Sequence, residues 1–422
     1  MAIAEARTVL QMNCYRILDS HRTPVWFLDD DVRFDIPLDR GDHIDWNFIP
    51  DHIGWIADLS KTDADVVIGG VSGDPPVPIQ ATIRTQVVDL YHNLELFSSL
   101  GSSQNGHKLN QEFEPRHQEN MVLRAQHSDY YYDLSRIDYG HLERPFWYVP
   151  QDKGITVAEA FKEMISVLPS IFSGCQVFRP ILWNTADPKS NLSLGYNRGP
   201  NTLVFRPECL TEMPNISPVL ADRHTRRSDM NWALLGSNVQ DWRLFTAPFP
   251  VRQDRSLLSP LDTRDYTDLV DDIRGYAAFS ALSDIISQKN GTQQSNSLDK
   301  VGIDILSFSN DEISLLIKNT EHYISERMFT WEMNYLRVRA LAFALDSFTD
   351  HFSSVDQGAR HFWLVDSSFK QEVEILSSFI ERLKKIYTGP VKEVTELVSA
   401  FDRHDLEQYF KNLGNNIRGY IG

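Results

Sequence analysis

Val25-Trp26-Phe27-Leu28-Asp29-Asp30-Asp31 is a short apolar run closed by three consecutive aspartates. Two unit charges about 4 Å apart repel by roughly 4 kcal/mol at an effective dielectric near 20, so stacked carboxylates call for a cation. The end of a strand in an open α/β sheet is also where ligands bind. The run therefore predicts a strand with a divalent metal at its tip, bridging to something anionic; a solvated acidic turn is the plain alternative. Two motifs fail on spacing. An EF-hand loop starting at Asp29 needs Gly at its sixth position and Glu at its twelfth, where Phe34 and Arg40 stand. A phosphatase of the Asp-x-Asp-x-Thr type fits Asp29 and Asp31 but meets Arg33 at its last position.

Three later stretches carry residue types that suit the same chemistry. Gly195-Tyr-Asn-Arg-Gly199-Pro-Asn201-Thr-Leu-Val-Phe205 is a glycine-rich turn running into a strand. Its glycines suit either a tight turn or close backbone approach to a ligand. Arg226-Arg227-Ser228-Asp229-Met230 reads as a loop entering a helix. There Asp229 suits a general base for a hydroxyl, or a simple helix cap. Arg226 and Arg227 suit a bidentate clamp on phosphate, or surface ion pairs. Pro250-Val-Arg-Gln-Asp254-Arg offers one more carboxylate. The aromatic clusters Tyr130–Tyr132 and Phe146–Tyr148 suit sugar stacking or an aromatic core.

In order and spacing these pieces resemble a glycosyltransferase of the GT-A fold, family 2-like, over about residues 5–255. That family carries a helix with an Arg/Asn pair, here Arg7 and Asn13, then a hydrophobic strand and Asp-x-Asp, here Asp29 and Asp31. A Gly/Asn-rich turn into a strand on the acceptor side follows, matched by Gly199 and Asn201. An acidic residue at a helix start comes next, matched by Asp229. The resemblance implies a nucleotide-sugar donor and Mn²⁺ or Mg²⁺, hexosyl transfer to an unidentified acceptor, and donor contacts from Asp29, Asp30, Arg7, Asn13, Arg226 and Arg227. The metal ligands it implies are Asp29 and Asp31, with Asp254 standing where many members have a histidine. Departures are the missing histidine and a missing opening strand–helix–strand segment, since only about 24 residues precede the aspartates and one βαβ unit takes about 30 or more. These favour an alternative, a non-catalytic interaction protein on a degenerate GT-A scaffold, or a partner or further segment that completes the domain. A metal-dependent phosphohydrolase is a third class.

The elements that must position these residues are legible in outline. The spacing predicts a helix over 2–18, a strand at Val66–Ile68 stopped by Gly69-Gly70, helices over 83–96 and 157–168, and a helix from about Ser228 ended by Gly236. A short extended run is expected over Thr246–Val251. Beyond residue 256 helical patterns dominate. They include a capping box at Ser309–Glu312, a stripe of Met333, Leu336, Ala340 and Phe343, and a second stripe of Val373, Leu376, Ile380 and Leu383. Asn290–Ser297 reads as a linker. The fold class expected is α/β: a GT-A-like mixed sheet with flanking helices, incomplete at its start, over 1–255, plus an α-helical domain over 256–422.

The chain has 422 residues, 42% of them apolar, and a formal net charge of −17. That charge disfavours binding to nucleic acid or anionic lipid, which needs a basic face. Cys14, Cys175 and Cys209 lie far apart, so neither a zinc site nor a disulfide framework is expected, and a cytoplasmic setting is the simplest reading. No run approaches the roughly 18 apolar residues of a membrane span, so an integral membrane protein is not expected.

Overall fold

The computed structural model describes residues 3–18, 23–40, 44–74, 156–175, 187–195, 202–256, 266–293, 302–354, 369–386 and 390–421, with Val177 and scattered helical positions between Ile83 and Leu94. Gly199, Asn201, Tyr130–Tyr132 and Phe146–Tyr148 lie outside the described residues.

Helix α1 (Ile3–Ile17) is followed by β1 (Val25–Leu28), β2 (Val32–Arg33), the hairpin β3 (Ile36–Asp39) and β4 (Ile44–Phe48), then α2 (His52–Leu59) and β5 (Val66–Gly73). Helix α3 (Val157–Val167) precedes β6 (Ser193–Leu194) and β7 (Thr202–Phe205). The short α4 (Cys209–Glu212), the hairpin β8 (Val219–Leu220) and β9 (Arg223–His224), α5 (Ser228–Val239) and β10 (Leu244–Gln253) complete the mixed part. Among the described residues five α-helices follow: α6 (Thr267–Gln293), α7 (Asn310–Ser354), α8 (Phe369–Ile386), α9 (Pro390–Ser399) and α10 (Arg403–Ile421). The protein is thus mixed α/β with a mixed sheet and a helical C-terminal region. None of the described helices is long and apolar enough to cross a membrane.

The main sheet runs β1-β7-β5-β10-β2, with β6 also on β10. Strand β7 is antiparallel to both β1 and β5, and β5 is parallel to β10. So β1, β5 and β10 point the same way and end on the same edge. Side chains alternate across the pleat. Val25, Phe27, Val66, Ile68, Leu203, Phe205 and Leu244 join the core beneath α5, α6 and α10. Trp26, Val67, Val204, Ala247 and Phe249 face the other way, onto α2.

Two strands run further than their sequence suggests. Strand β5 continues through Gly69 because a side chain there would collide with the Phe249 carbonyl of the neighbouring strand; glycine lets the backbones close. Strand β10 absorbs its prolines in a register shift between Thr246 and Pro250. The freed Pro250 carbonyl is bonded by Nε2 of buried His52 at 2.8 Å. Helix α5 likewise passes Gly236, whose missing side chain makes room for the Trp242 ring. The capping box at Ser309 forms: Ser309 N–H donates to Glu312 Oε2 at 2.7 Å and Glu312 N–H to Ser309 Oγ at 3.2 Å.

The core under the sheet draws Ala281, Ile285, Leu316, Leu406, Phe410 and Ile417 from the helices, so it holds residues on both sides of residue 255. A second cluster joins α3, α8 and the distal half of α7, and includes Leu376, Ile380 and Leu383 of the second stripe. Met333, Leu336, Ala340 and Phe343 do not enter it.

Candidate active site

Only Asp29, Asp30 and Asp31 separate β1 from β2, and these strands stand at opposite ends of the sheet order. The acidic triplet is therefore laid across the edge where β1, β5 and β10 end. That is the crevice edge of an α/β sheet. Asp74 follows β5 and Asp254 follows β10, so carboxylates close all three parallel strands.

Guanidinium groups meet most of this charge. Arg7 of α1 bonds Asp29 Oδ1 at 3.0 Å. Arg255 reaches Asp31 Oδ2 at 2.7 Å, and Gln253 Nε2 donates to the same oxygen at 3.0 Å. The Arg255 N–H donates to Asp74 Oδ2 at 2.7 Å. Asp254 lies 3.4 Å from Arg33 and accepts from Ser256 Oγ at 2.6 Å; the Ser256 bond, then Arg252 and Arg33, hold its carboxyl below its ordinary value against the opposing effect of burial. Asp31 Oδ1 differs: it is buried and has no hydrogen-bond partner among the described residues. Cys175 stands within reach of Asp74 and Asp254, and burial, with their charge added, pushes its thiol up to about 12.

The Asp29 carboxyl is raised above its ordinary value. Burial is the main cause; Arg7 opposes it by charge and hydrogen bond, while the charges of Asp31 and Asp229 push the same way as burial. Asp29 thus lies within electrostatic reach of both other carboxylates. The local packing explains the meeting. On α1, Thr8 Oγ1 accepts the Asn215 N–H at 2.9 Å, and Gln11 Oε1 accepts from Asn215 Nδ2 at 2.7 Å. On α5, Asn231 Nδ2 donates to the Ile216 carbonyl at 3.3 Å. Residues 215–216 therefore tie α1, which carries Arg7, to α5, which carries Asp229.

Asp229 sits in the first turn of α5, where the helix dipole favours an anion, and its Oδ1 accepts the Met230 N–H at 2.9 Å. The N-cap residue is Arg227, which makes no side-chain capping bond and has φ of 75°. Holding a non-glycine residue in that left-handed region costs on the order of 1–3 kcal/mol, so the surroundings must enforce it.

Helix α6 enforces it. The Arg227 guanidinium bonds buried Asp272 at 2.9 Å. Arg223 forks onto buried Asp271 at 2.7–3.2 Å, and the Asp271 carbonyl accepts the Arg226 N–H at 3.1 Å. Gly275 lies directly under the Arg226 backbone, where any side chain would collide with the Arg226 carbonyl oxygen. Arg274 donates to the carbonyls of Leu220, Leu397, Val398 and Ala400, joining the turn of the β8–β9 hairpin to the C-terminal end of α9.

The fold thus brings together Asp29, Asp31, Arg7 and Asp229. Arg226 is half-buried, and its side chain has no partner among the described residues, whereas Arg227 is committed to Asp272. Asp30 is exposed in the turn. Asn13 is exposed and stands about 120° around α1 from Arg7, so the two do not share a face. Among the described residues no group of three or more His, Cys, Asp or Glu is placed to hold a metal. Asp254 does not join Asp29 and Asp31 as a ligand set; its oxygens are held by Arg33 and Ser256.

Sequence reasoning missed Arg255, Asp74 and the α6 group Asp271, Asp272, Arg274 and Gly275. The α6 group had a readable sign: three charged residues and a glycine inside an apolar helical pattern. Arg255 and Asp74 had none, since only the sheet order places them beside Asp31.

No family model, curated protein or solved structure matches this chain.

Proposed function

We propose that the chain is a metal-dependent glycosyltransferase that moves a sugar from a nucleotide-sugar donor to an acceptor hydroxyl. The observation that carries this reading is the meeting of Asp29 with Asp31 and Asp229 at the edge where the parallel strands end. Mg²⁺ and Mn²⁺ sites often take one or two protein carboxylates and leave the remaining positions to phosphates and water. The unpartnered Asp31 Oδ1 and the Asp29 carboxylate fit that mode; Asp254 does not. When bound, such an ion neutralises the charge that develops on a departing diphosphate. Arg226, whose side chain has no partner among the described residues, would add a second positive charge there. Asp229, held at the start of α5, takes the proton from the attacking hydroxyl, a role worth about 10²–10⁴-fold in rate. Direct displacement with inversion follows from that role.

The test is a thermal shift with UDP- and GDP-sugars plus Mn²⁺. Donor at a hundred times its dissociation constant stabilises by about 2.7 kcal/mol, which moves Tm by a few degrees. The shift should require Mn²⁺ and vanish in Asp31→Ala. Asp229→Asn should keep the shift and lose transfer. No shift with any donor would sink the enzyme reading.

A second reading, a binding protein on a transferase-like scaffold, is favoured by one observation: Arg7, Arg255 and Arg33 already balance the carboxylates that a metal would need. Donor binding without metal, unaffected by Asp31→Ala, would support it.

A further inference from the structure

Helix α7 carries two apolar stripes over the same turns. Trp331, Tyr335, Val338, Ala342 and Leu345 are buried against the helical core. The other stripe is Phe329, Met333, Leu336, Ala340 and Phe343. At 100° per residue these lie within an arc of about 80° on the opposite side of the helix. Phe329 is 61% exposed, Leu336 45% and Phe343 55%. A helix that is apolar on both sides is normally covered on both. The spacing alternates four and three residues, which is the seam of a two-stranded coiled coil.

We infer that this seam pairs antiparallel with the same seam of a second copy of the chain. From Phe329 to Ala340 the stripe complements itself in both size and charge, while Phe343 lies beyond this contact, opposite Glu326. Antiparallel pairing with Met333 opposite Leu336 also sets Phe329 opposite Ala340, large against small, at both ends of the contact. Head-to-head parallel pairing would instead set Phe329 on Phe329 and Ala340 on Ala340. Along one flank run Glu332 and Arg339, both exposed and neither in an ion pair among the described residues, although the Arg339 guanidinium lies 5.8 Å from the Tyr335 ring of its own helix. In the same antiparallel register Glu332 of each copy faces Arg339 of the other, twice by symmetry. On the opposite flank Arg337 meets no acidic residue at the matching position, Thr330, which leaves the Glu332–Arg339 side as the one that selects orientation. An apolar centre with complementary charges at its rim is the usual composition of such a seam.

The experiment is sedimentation equilibrium of the full chain across a concentration series. The wild type should be a dimer. Leu336→Glu should raise the dissociation constant by at least about a hundredfold, since two buried leucines are lost together. Glu332→Arg and Arg339→Glu should each weaken the dimer, and the double exchange should restore it, which a merely structural role would not do. Chains carrying Met333→Cys should cross-link to chains carrying Leu336→Cys more readily than either does to itself. Circular dichroism of each variant shows whether it is folded. A wild type that is monomeric throughout, whether the face stays bare or is met by some other protein, overturns the inference. So does a dimer indifferent to Leu336→Glu, or one in which the double charge exchange fails to restore association.

Discussion

Asp29 carries an opposition between stability and chemistry. Its folded carboxyl holds a proton more tightly than the unfolded one, because burial and the charges of Asp31 and Asp229 outweigh Arg7. A group raised in this way lends its full stability below the unfolded value of about 3.9 and loses it as pH rises through the folded value. Above that unfolded value Asp29 is therefore a net cost to the fold. Asp29→Asn should raise Tm at pH 7, and its advantage should shrink to nothing as pH falls below about 4. Tm measured for both proteins across that range checks it; a less stable Asp29→Asn at pH 7 would mean that the Arg7 pair dominates. The same variant should lose metal-dependent donor binding. That three aspartates in a row need balancing positive charge was legible from their types alone. That guanidinium groups from Arg7 and Arg255 supply the balancing charge was not, since those residues lie 22 and 224 positions away from Asp29 and Asp31 and only the folded sheet joins them.

At the scale of elements, the segment that presents Asp229 is shaped from below by α6 rather than by its own sequence. Arg227 would not choose φ of 75° unaided; Asp272 and the absence of a side chain at Gly275 hold it there. Gly275→Ala should cost about 1–3 kcal/mol, the range for overpacking a close contact. It should also displace Arg226 and Asp229 and so reduce transfer more than donor binding. Urea unfolding and a kcat-against-KM comparison would check both parts, and an unchanged fold and activity would show that the contact relaxes freely. Helix positions were the most legible elements, because α1, α3 and α8 announce themselves by period and α7 by its Ser309–Glu312 cap. Strand ends were less so. Gly69 reads as a stop, yet it sits inside a strand to admit a neighbouring backbone, and the extended run expected over Thr246–Val251 is the middle of a longer strand that takes its prolines in a register shift. Gly236 misleads in the same way, since the Trp242 ring that fills its space comes from beyond the helix.

At the scale of the whole molecule, the core beneath the sheet depends on the helices. Ala281, Ile285, Leu406, Phe410 and Ile417 supply one wall and β5, β7 and α5 the other. A chain cut after residue 255 would bare that apolar face, so residues 1–255 alone should be insoluble or should bind hydrophobic dyes strongly, whereas the full chain should not. A soluble, cooperatively folding 1–255 would contradict this. The change of texture near residue 256 was visible in the sequence; the shared core was not, because periodicity reports which face of a helix is apolar and not what it meets. The same limit applies to the stripe of Met333, Leu336, Ala340 and Phe343. It turned out to be the outer face of α7, with the inner face formed by Trp331 to Leu345. Leu316, on the same helix, packs in the core under the sheet, about 28 Å along the axis from the midpoint of that seam. Two chains joined antiparallel there would carry the acidic edges of their sheets on opposite arms, with the two Leu316 positions some 55 Å apart. Such a pair is a bivalent spacer: it would grip an acceptor presented repeatedly on a polymer or surface at two points, and gain in avidity what neither arm has alone.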